Sequence, residues 1–284
     1  MKKYLSAFLM LLGGLAFSCQ SLSNESGVAP EVSATAGAEE AGELTFISQR
    51  VNRPEKPCPQ DSCAEVKLQY LVAKGEPAAL RDSLNRYMQR YLLGLQLMNN
   101  PDASLTPRED AAVLVADQFM EQQAKFRKDF PDAAVRAGWY LTVSSKPLHQ
   151  TDSLVSLQIK HEGYSGGAHG YAMTTLQTFD NTGHALKITE LVTDTVQLRK
   201  LVEQEFRKVR KLPATSFRRQ GFYTQRGRLP FPQNAALTLE GLLLYYNAYE
   251  VNAYAFGPTQ LVLPYAQLQT LLKPAYLPRE PGTR

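Results

Sequence analysis

The chain has 284 residues, of which 44% are hydrophobic and 20% are charged, with a formal net charge of +4. This is the composition of an ordinary globular protein, long enough for one large or two small domains. Beyond the N-terminus, the sequence contains no internal repeat and no apolar run long enough to cross a membrane, which excludes repeat arrays and multi-span membrane proteins.

The N-terminus has the pattern of an export signal. Lys2 and Lys3 precede an apolar segment, Leu5 to Phe17, which is too short to anchor the chain stably across a bilayer. We therefore expect residues 1–18 to be a signal peptide that is removed during export.

Cys19 follows this segment directly. Small residues at Ala16 and Ser18 just before a cysteine resemble the lipobox of bacterial lipoproteins, which implies cleavage before Cys19 and lipidation of its thiol. The acyl chains would tether the mature protein to a membrane. Gln20 is not the aspartate that retains enterobacterial lipoproteins in the inner membrane, so we expect an outer membrane lipoprotein that faces the periplasm or the cell surface. The alternative is an ordinary signal peptide followed by a chance cysteine.

Residues 19–43 form the next segment. They are mainly Ala, Ser, Glu and Gly, with almost no large apolar side chain. Such a segment cannot bury enough surface to order itself, so we expect a lipidated flexible tether.

Cys58 and Cys63 are the other two cysteines of the chain. In an exported protein a close pair of cysteines is most simply a disulfide. A metal site would need further soft or nitrogen ligands nearby, and the flanking sequence supplies none.

Strand and helix patterns follow the tether. Apolar residues with a period of two predict strands that begin near Leu44 and Val66. Pro77 suits the first turn of a helix, because its missing N–H would be unpaired there in any case. Apolar residues then recur at intervals of three and four as far as Asn99, which predicts an amphipathic helix.

A second helix is predicted after a short loop. Thr106 and Glu109 have the spacing of a capping box, so we expect the helix to start there and to stop before Pro131. Further alternating runs around Trp139 and Val155 predict two more strands.

The C-terminal part has shorter elements. Asp194 lies at the start of an amphipathic stripe and predicts an N-capped helix that ends before Pro213. Leu242–Tyr246 is an apolar run typical of a buried strand, alternation around Leu261 predicts another, and Pro264 starts a last short helix. Strands and helices do not alternate regularly, so we expect an α+β fold of antiparallel sheets with packed helices rather than a doubly wound parallel sheet.

A glycine-rich segment connects two of the predicted strands. Residues 163–171 read Gly-Tyr-Ser-Gly-Gly-Ala-His-Gly-Tyr and lie between alternating runs that end near Lys160 and resume near Thr174. Glycines in such a bend allow backbone angles that other residues resist, and they let a ligand or another backbone come close.

This bend and a later stretch together resemble a known bacterial family. The later stretch contains Leu239-Glu240-Gly241, Tyr245-Tyr246-Asn247, Tyr249-Glu250, Gly257-Pro258 and Pro264-Tyr265. The combination is similar to the extracytoplasmic domain of RsiV-type anti-sigma factors, where the module is a receptor for lysozyme, and to the non-catalytic N-terminal domain of PdaC-type peptidoglycan deacetylases. The resemblance implies a two-part α+β module without catalysis of its own, with a deacetylase-accessory-like lobe at 44–186, an RsiV-like lobe at 187–275 and a tail at 276–284.

His169 is the most conspicuous polar residue of the bend. It could be imagined as a metal site with His161 and His184, but no compact zinc-ligand spacing occurs, so we expect no metal, no cofactor and a histidine that holds the bend through backbone hydrogen bonds. Ser165 lacks the pattern of a nucleophile elbow. We therefore assign no catalytic residue.

The stretch after Leu242–Tyr246 is rich in tyrosine. Aromatic faces with solvated hydroxyls suit contacts with sugar rings or protein partners. The alternative is that either Tyr245 or Tyr246 fills the core, because neighbouring strand residues point to opposite faces. The predicted ligand-binding residues of the bend and this loop are Tyr164, His169, Tyr246, Asn247, Tyr249, Glu250 and Tyr254.

Ten basic residues between positions 195 and 230 are opposed by only two acidic ones, Glu203 and Glu205. We expect this Arg199–Arg228 basic segment to attract an anionic surface, such as lipid head groups, lipopolysaccharide or acidic glycans. The alternative is a solvated helix face. Nucleic acid is not an expected partner of an exported lipoprotein, and like charges would oppose the docking of cationic lysozyme on this segment.

Together these observations favour a non-enzymatic cell-envelope lipoprotein that binds a cell-wall glycan or an envelope protein. Two other hypotheses stay open. The first is a hydrolase that acts on wall polymer through His169 and Glu250, and the second is a lysozyme-binding protein.

Overall fold

The computed structural model describes residues 42–56, 63–98, 100–130 and 138–278. The predicted signal peptide, Cys19, Cys58 and nearly all of the predicted tether lie outside these residues. Cys63 is not a free thiol, and its predicted pairing with Cys58 stays a prediction. No helix among the described residues is both long and apolar enough to span a membrane.

Six strands form the larger sheet, in the order β1-β2-β3-β4-β5-β6. All neighbours are antiparallel except β2 and β3, which run parallel. Parallel strands need a crossover connection, and helices α1 and α2 supply it. The strands are β1 Thr45–Pro54, β2 Glu65–Lys74, β3 Tyr140–Gln150, β4 Leu154–Tyr164, β5 Tyr171–Asp180 and β6 Ala185–Leu186, and the helices are α1 Ala78–Gly94 and α2 Ala111–Asp129.

Three strands form the smaller sheet, in the order β7-β8-β9, and both pairs are antiparallel. The predicted α+β class is thus confirmed, with one parallel pair and one short strand, β7, that the local sequence pattern did not predict. The strands are β7 Ala235–Leu237, β8 Gly241–Tyr246 and β9 Thr259–Pro264, and the remaining helices are α3 Ile188–Leu191, α4 Thr195–Val209 and α5 Tyr265–Leu268. Short 3₁₀ helices cover Leu95–Met98, Arg218–Gln220, Tyr254–Phe256 and Pro274–Tyr276.

The elements stack in four layers. Helices α1 and α2 cover one face of the larger sheet, α4 covers one face of the smaller sheet, and the two sheets meet through their other faces. Strand β4 is buried on both sides from Leu154 to Ile159, because the helices cover one face and the smaller sheet covers the other. Between α1 and the larger sheet, the packed residues are Met88, Leu92, Leu68 and Ile159. Between α4 and the smaller sheet, they are Leu198, Val202, Phe206, Leu244 and Leu261. Between the two sheets, Leu176 packs on Ala236 and Leu243.

The predicted helix starts have different outcomes. Asp194 caps α4 as expected, because its Oδ1 accepts hydrogen bonds from the backbone N–H groups of Val196 at 2.8 Å and Gln197 at 3.0 Å. The capping box predicted at Thr106 and Glu109 is wrong, since α2 begins only at Ala111. The Thr106 N–H instead donates to the Ser104 hydroxyl at 3.3 Å, a local side-chain bond of the kind that competes with helix formation.

Two asparagine side chains complete the outer edge of β5, where β6 pairs with only two residues. The Asn247 amide accepts from the Thr174 N–H at 2.7 Å and donates to the Thr174 carbonyl at 3.1 Å. The Asn234 amide accepts from the Leu176 N–H at 2.6 Å and donates to the Thr174 carbonyl at 2.7 Å. These amides, which we call the asparagine clamp, stand in for the backbone of a missing strand.

His161 is buried between the larger sheet and α1. Its Nδ1 lies 2.6 Å from the Tyr91 hydroxyl, and its side chain is 8% exposed. Burial lowers the pKa of His161 to about 4 from the ordinary value of 6.5, because the charged ring would lose its hydration. The unfolded chain therefore takes up this proton at a higher pH than the folded chain does.

We predict that replacing Asn247 by alanine lowers the free energy of unfolding by roughly 2 kcal/mol, because the buried Thr174 N–H loses its acceptor. Urea denaturation at neutral pH measures this change. Asn52→Ala, on the exposed side of β1, is the matched control and should leave stability nearly unchanged. Equal unfolding midpoints for Asn247→Ala and wild type would contradict a structural role for the clamp.

We predict that His161 makes the free energy of unfolding fall by about 3 kcal/mol as the pH drops from 6.5 to 4, because only the unfolded state is protonated in this window. Urea titrations at several pH values should show a shallower pH dependence for His161→Gln than for wild type. Asn52→Ala, which removes no titratable group, should keep the wild-type slope. Identical slopes for wild type and His161→Gln would refute the assignment.

Candidate functional site

The glycine-rich bend, residues 165–170, connects β4 to β5 as predicted. Gly166 and Gly167 have φ values of +97° and +95°, in the left-handed region that a side chain disfavours. The Tyr164 hydroxyl donates to the Gly167 carbonyl at 3.0 Å and thereby closes the bend. Tyr164 is half-buried, and this bond makes it a support of the bend.

The connection between β8 and β9, residues 247–258, lies next to the bend. Tyr249 has a φ of +70°, which is unusual for a residue with a side chain. Two contacts attach the connection to the segment that follows α4. The Arg210 guanidinium donates to the Phe256 carbonyl at 3.0 Å, and the Tyr223 N–H donates to the Val251 carbonyl at 2.8 Å.

Three aromatic side chains from these two connections form one surface cluster. The His169 and Tyr254 rings are stacked with centroids 4.2 Å apart and an interplanar angle of 17°. The Tyr249 ring lies 5.5 Å from that of Tyr254. Tyr249 is 55% exposed and Tyr254 is 37% exposed. We call His169, Tyr249 and Tyr254 the aromatic cluster.

Hydrogen bonds orient the rings of the aromatic cluster. His169 Nδ1 lies 2.7 Å from the Gly170 carbonyl, which can only accept, so Nδ1 carries the proton. In the neutral ring Nε2 is then an acceptor, and the Tyr249 hydroxyl donates to it at 3.3 Å. The Tyr254 hydroxyl donates to the same Gly170 carbonyl at 3.2 Å. The backbone bond expected for His169 is present, and the ring also contacts both tyrosines.

An open cleft of about 550 Å³ lies beside the aromatic cluster. Tyr254 belongs to both, because it lines the cleft and stacks on His169. The floor of the cleft includes two opposite charges on β4, Lys160 and Glu162, and Tyr245 of β8 forms part of the wall. The lining therefore combines an aromatic side with polar groups that could bind hydroxyls or charges.

Two of the predicted ligand-binding residues do not reach the surface. Tyr246 is 1% exposed, packs its ring edge-on against Phe206 and donates its hydroxyl to the Pro230 carbonyl at 2.9 Å. Burial raises the pKa of Tyr246. Asn247 is 5% exposed and belongs to the asparagine clamp. Tyr246 and Asn247 are therefore structural supports of the site. Strand alternation turns Tyr246 toward α4, whereas its neighbour Tyr245 faces the cleft.

Glu250 is exposed, and its Oε1 accepts a hydrogen bond from the Asn247 amide at 2.9 Å. Its described partner is therefore the clamp, whereas the two ring nitrogens of His169 contact the Gly170 carbonyl and the Tyr249 hydroxyl. These bonds do not join His169 to Glu250, the two residues through which the hydrolase hypothesis has the enzyme act.

The residues 42–56, 63–98, 100–130 and 138–278 contain no group of three His, Cys, Asp or Glu side chains that could hold a metal ion. The three histidines considered for such a site have separate partners. His161 contacts Tyr91, His184 contacts the Glu190 carboxylate at 3.0 Å, and His169 belongs to the aromatic cluster.

Sequence reasoning missed the floor of the cleft. Lys160 and Glu162 lie on the same face of β4, opposite to the face that carries Ile159 and His161. The period of two in this strand could have separated the two faces. It could not have indicated that the connection between β8 and β9 covers one of them.

Comparisons with known proteins agree with this architecture. Residues 59–172 match a family model described as deacetylase PdaC, and residues 190–266 match one described as a protein of unknown function, DUF3298. No curated protein matches the chain significantly.

Two solved structures share the fold. A DUF3298 family member from Bacteroides fragilis aligns with a TM-score of 0.65 at 21% identity, over 83% of this chain and 96% of that one. A DUF3298 family protein from Pseudomonas aeruginosa aligns with a TM-score of 0.59 at 21% identity, over 84% of this chain and 99% of that one. The resemblance seen in the sequence is therefore confirmed: residues 59–172 are similar to the PdaC deacetylase family, residues 190–266 are similar to DUF3298, and the fold is that of solved DUF3298 proteins.

Proposed function

We propose that this protein is a non-enzymatic cell-envelope lipoprotein that binds a wall glycan at the aromatic cluster and the adjoining cleft. The observation that carries the proposal is the stacking of His169 on Tyr254, with Tyr249 beside them, at an exposed surface. His169 and Tyr249 are 80 positions apart in the chain, so the tertiary fold assembles this cluster.

Aromatic rings at a surface suit the apolar faces of sugar rings, because each ring offers a flat apolar area while its hydroxyl stays solvated. The polar groups of the cleft suit the sugar hydroxyls, since Lys160 is a donor and Glu162 is an acceptor. A ligand that stacks on Tyr254 can therefore extend into the cleft, which this same residue lines.

The hydrogen bonds of His169 favour binding over catalysis. A general base needs a free nitrogen within reach of a substrate proton. In this protein Nδ1 contacts the Gly170 carbonyl and Nε2 contacts the Tyr249 hydroxyl, while the Glu250 carboxylate accepts from Asn247. These contacts orient the rings and support a role for His169 in the binding surface of the aromatic cluster.

The proposal includes the envelope location inferred from the sequence. In it, Cys19 carries the lipid anchor, Cys58 and Cys63 form a disulfide, and the mature protein is attached to the outer membrane and faces the periplasm or the cell surface. The similarity of residues 59–172 to a family named for a deacetylase is consistent with binding to a glycan polymer. An envelope protein is the alternative ligand.

We predict that Tyr249→Ala/Tyr254→Ala lowers retention on purified peptidoglycan about tenfold or more, because truncated aromatic contacts at a binding surface commonly cost 1 kcal/mol or more each. Cosedimentation at several protein concentrations measures retention. Phe130→Ala, which removes an exposed ring from the end of α2, is the control and should bind like wild type. Tyr246 is left unchanged, since its replacement would damage the core.

Equal retention of the double variant and wild type would remove the aromatic cluster as the binding site. Release of sugars or acetate from the polymer, abolished by His169→Ala, would instead favour the hydrolase hypothesis.

We predict that a Cys19→Ala variant is no longer labelled by a clickable palmitate analogue and fractionates with soluble proteins, because the acyl chains supply the membrane affinity. Labelling of wild-type cells followed by membrane fractionation measures both properties. Unchanged membrane association of the variant would show that another feature attaches the chain.

A further inference from the structure

The basic segment contains two kinds of side chain. Several are bound within the fold, such as Arg199 to the Leu229 carbonyl and Arg228 to Glu203. Others are exposed and have no hydrogen-bond or ion-pair partner among the described residues. They are Lys200, Lys211, Arg218, Arg219 and Arg226.

Three of these cations are in segments next to the C-terminal end of α4: Lys211 follows its C-cap, and Arg218 and Arg219 follow Phe217, which packs on the last turn. The Arg207 guanidinium lies 3.8 Å above the centre of the Phe217 ring and donates to the Pro213 carbonyl at 2.7 Å. These contacts hold the segment after the helix against its last turn. The 3₁₀ helix that directly follows Phe217 begins with two arginines. We call Lys211, Arg218 and Arg219 the basic surface.

The segment that carries the basic surface contacts the connection between β8 and β9, which supplies two rings of the aromatic cluster. Arg210, next to Lys211, donates to the carbonyl of Phe256 in the tyrosine-rich connection. Tyr223, shortly after the 3₁₀ helix, donates its N–H to the Val251 carbonyl of the same connection. Two separate hydrogen bonds therefore join the segment that carries these cations to the connection that carries Tyr249 and Tyr254.

Lys211 occupies a backbone position that would suit glycine better. Its φ is +53°, and it follows the C-cap of α4 in a Schellman motif, in which the Lys211 N–H donates to the Lys208 carbonyl and the Leu212 N–H donates to the Arg207 carbonyl. Glycine is the usual residue there, because it has no Cβ to strain the left-handed conformation. Tyr249 in the aromatic cluster has the same kind of strain, with a φ of +70°.

We infer that the ligand is an anionic glycan, whose sugar rings stack on the aromatic cluster while its carboxylate or phosphate groups pair with the basic surface. This inference rests on the proposed glycan binding and specifies the ligand. Arginine guanidinium groups match carboxylate and phosphate oxygens with paired hydrogen bonds, and a neutral glycan would leave these three cations without partners. The role of a cation in complementing the helix dipole applies to Arg207 and Lys208 in the last turn of α4, but not to Arg218 and Arg219, which lie beyond the helix.

The test compares two soluble probes of equal length, an oligogalacturonate with one carboxylate on each sugar and a neutral chito-oligosaccharide. We expect calorimetry at low salt to show about tenfold tighter binding of the oligogalacturonate, and this preference should disappear in 0.5 M NaCl, because exposed ion pairs are screened. Lys211→Gln/Arg218→Gln/Arg219→Gln should abolish the preference. The control is Arg90→Gln/Lys125→Gln/Lys128→Gln, which removes three exposed cations of α1 and α2 and should leave the preference intact.

A single substitution separates binding from folding. Lys211→Gly should raise the thermal midpoint, because it relieves the left-handed strain, and should still weaken oligogalacturonate binding. Weaker binding by a more stable protein cannot result from unfolding.

Several results would overturn the inference. Equal affinity for both probes, with no effect of the basic triple variant, would leave the proposed glycan binding intact but make the ligand neutral. Binding of neither probe would also reject an anionic glycan, while cosedimentation with peptidoglycan tests the proposed function independently. Binding to vesicles of anionic lipid but not to oligogalacturonate would assign the basic surface to a membrane. Oligogalacturonate binding that survives Tyr249→Ala/Tyr254→Ala would show that the cations act without the rings.

Discussion

The asparagine clamp is the constraint on which the arrangement of this protein depends. The N–H and the carbonyl of Thr174 are both bound by side-chain amides rather than by a neighbouring strand. One amide, Asn234, precedes β7 and the other, Asn247, follows β8. An unpaired N–H at this buried edge would be costly, so the smaller sheet is held against β5 in one position. Asn247 also binds Glu250, and the clamp thereby positions the start of the tyrosine-rich connection.

The position of the smaller sheet determines where the aromatic cluster forms. Once the connection between β8 and β9 is held over the glycine-rich bend, Tyr254 can stack on His169 and donate to the Gly170 carbonyl. The residues that support the aromatic cluster are buried, as Tyr246 is where its ring packs against Phe206. The rings of Tyr249 and Tyr254 are exposed. A rigid base with an exposed aromatic surface is an arrangement suited to recognition, because little freedom is lost when a ligand binds.

Local sequence patterns predicted one helix start correctly and another wrongly. Asp194 caps α4 because its side chain reaches N–H groups only two and three positions away. The capping box predicted at Thr106 and Glu109 was also based on a short local pattern, and it was wrong. The Thr106 N–H donates to the Ser104 hydroxyl instead. The parallel pairing of β2 with β3 was beyond such reasoning, because it depends on how α1 and α2 cross the sheet.

The sequence by itself determined the α+β class, the strands on either side of the glycine-rich bend, and the one-in, one-out choice between Tyr245 and Tyr246, because these depend on periodicities of two and of three to four residues along the chain. Only the tertiary structure decided which tyrosines meet His169, that Asn247 serves a strand edge, and that Arg210 joins the basic segment to the tyrosine-rich connection. These contacts join positions 46 to 85 residues apart. Their partners are selected by the packing of whole layers, which no local pattern encodes.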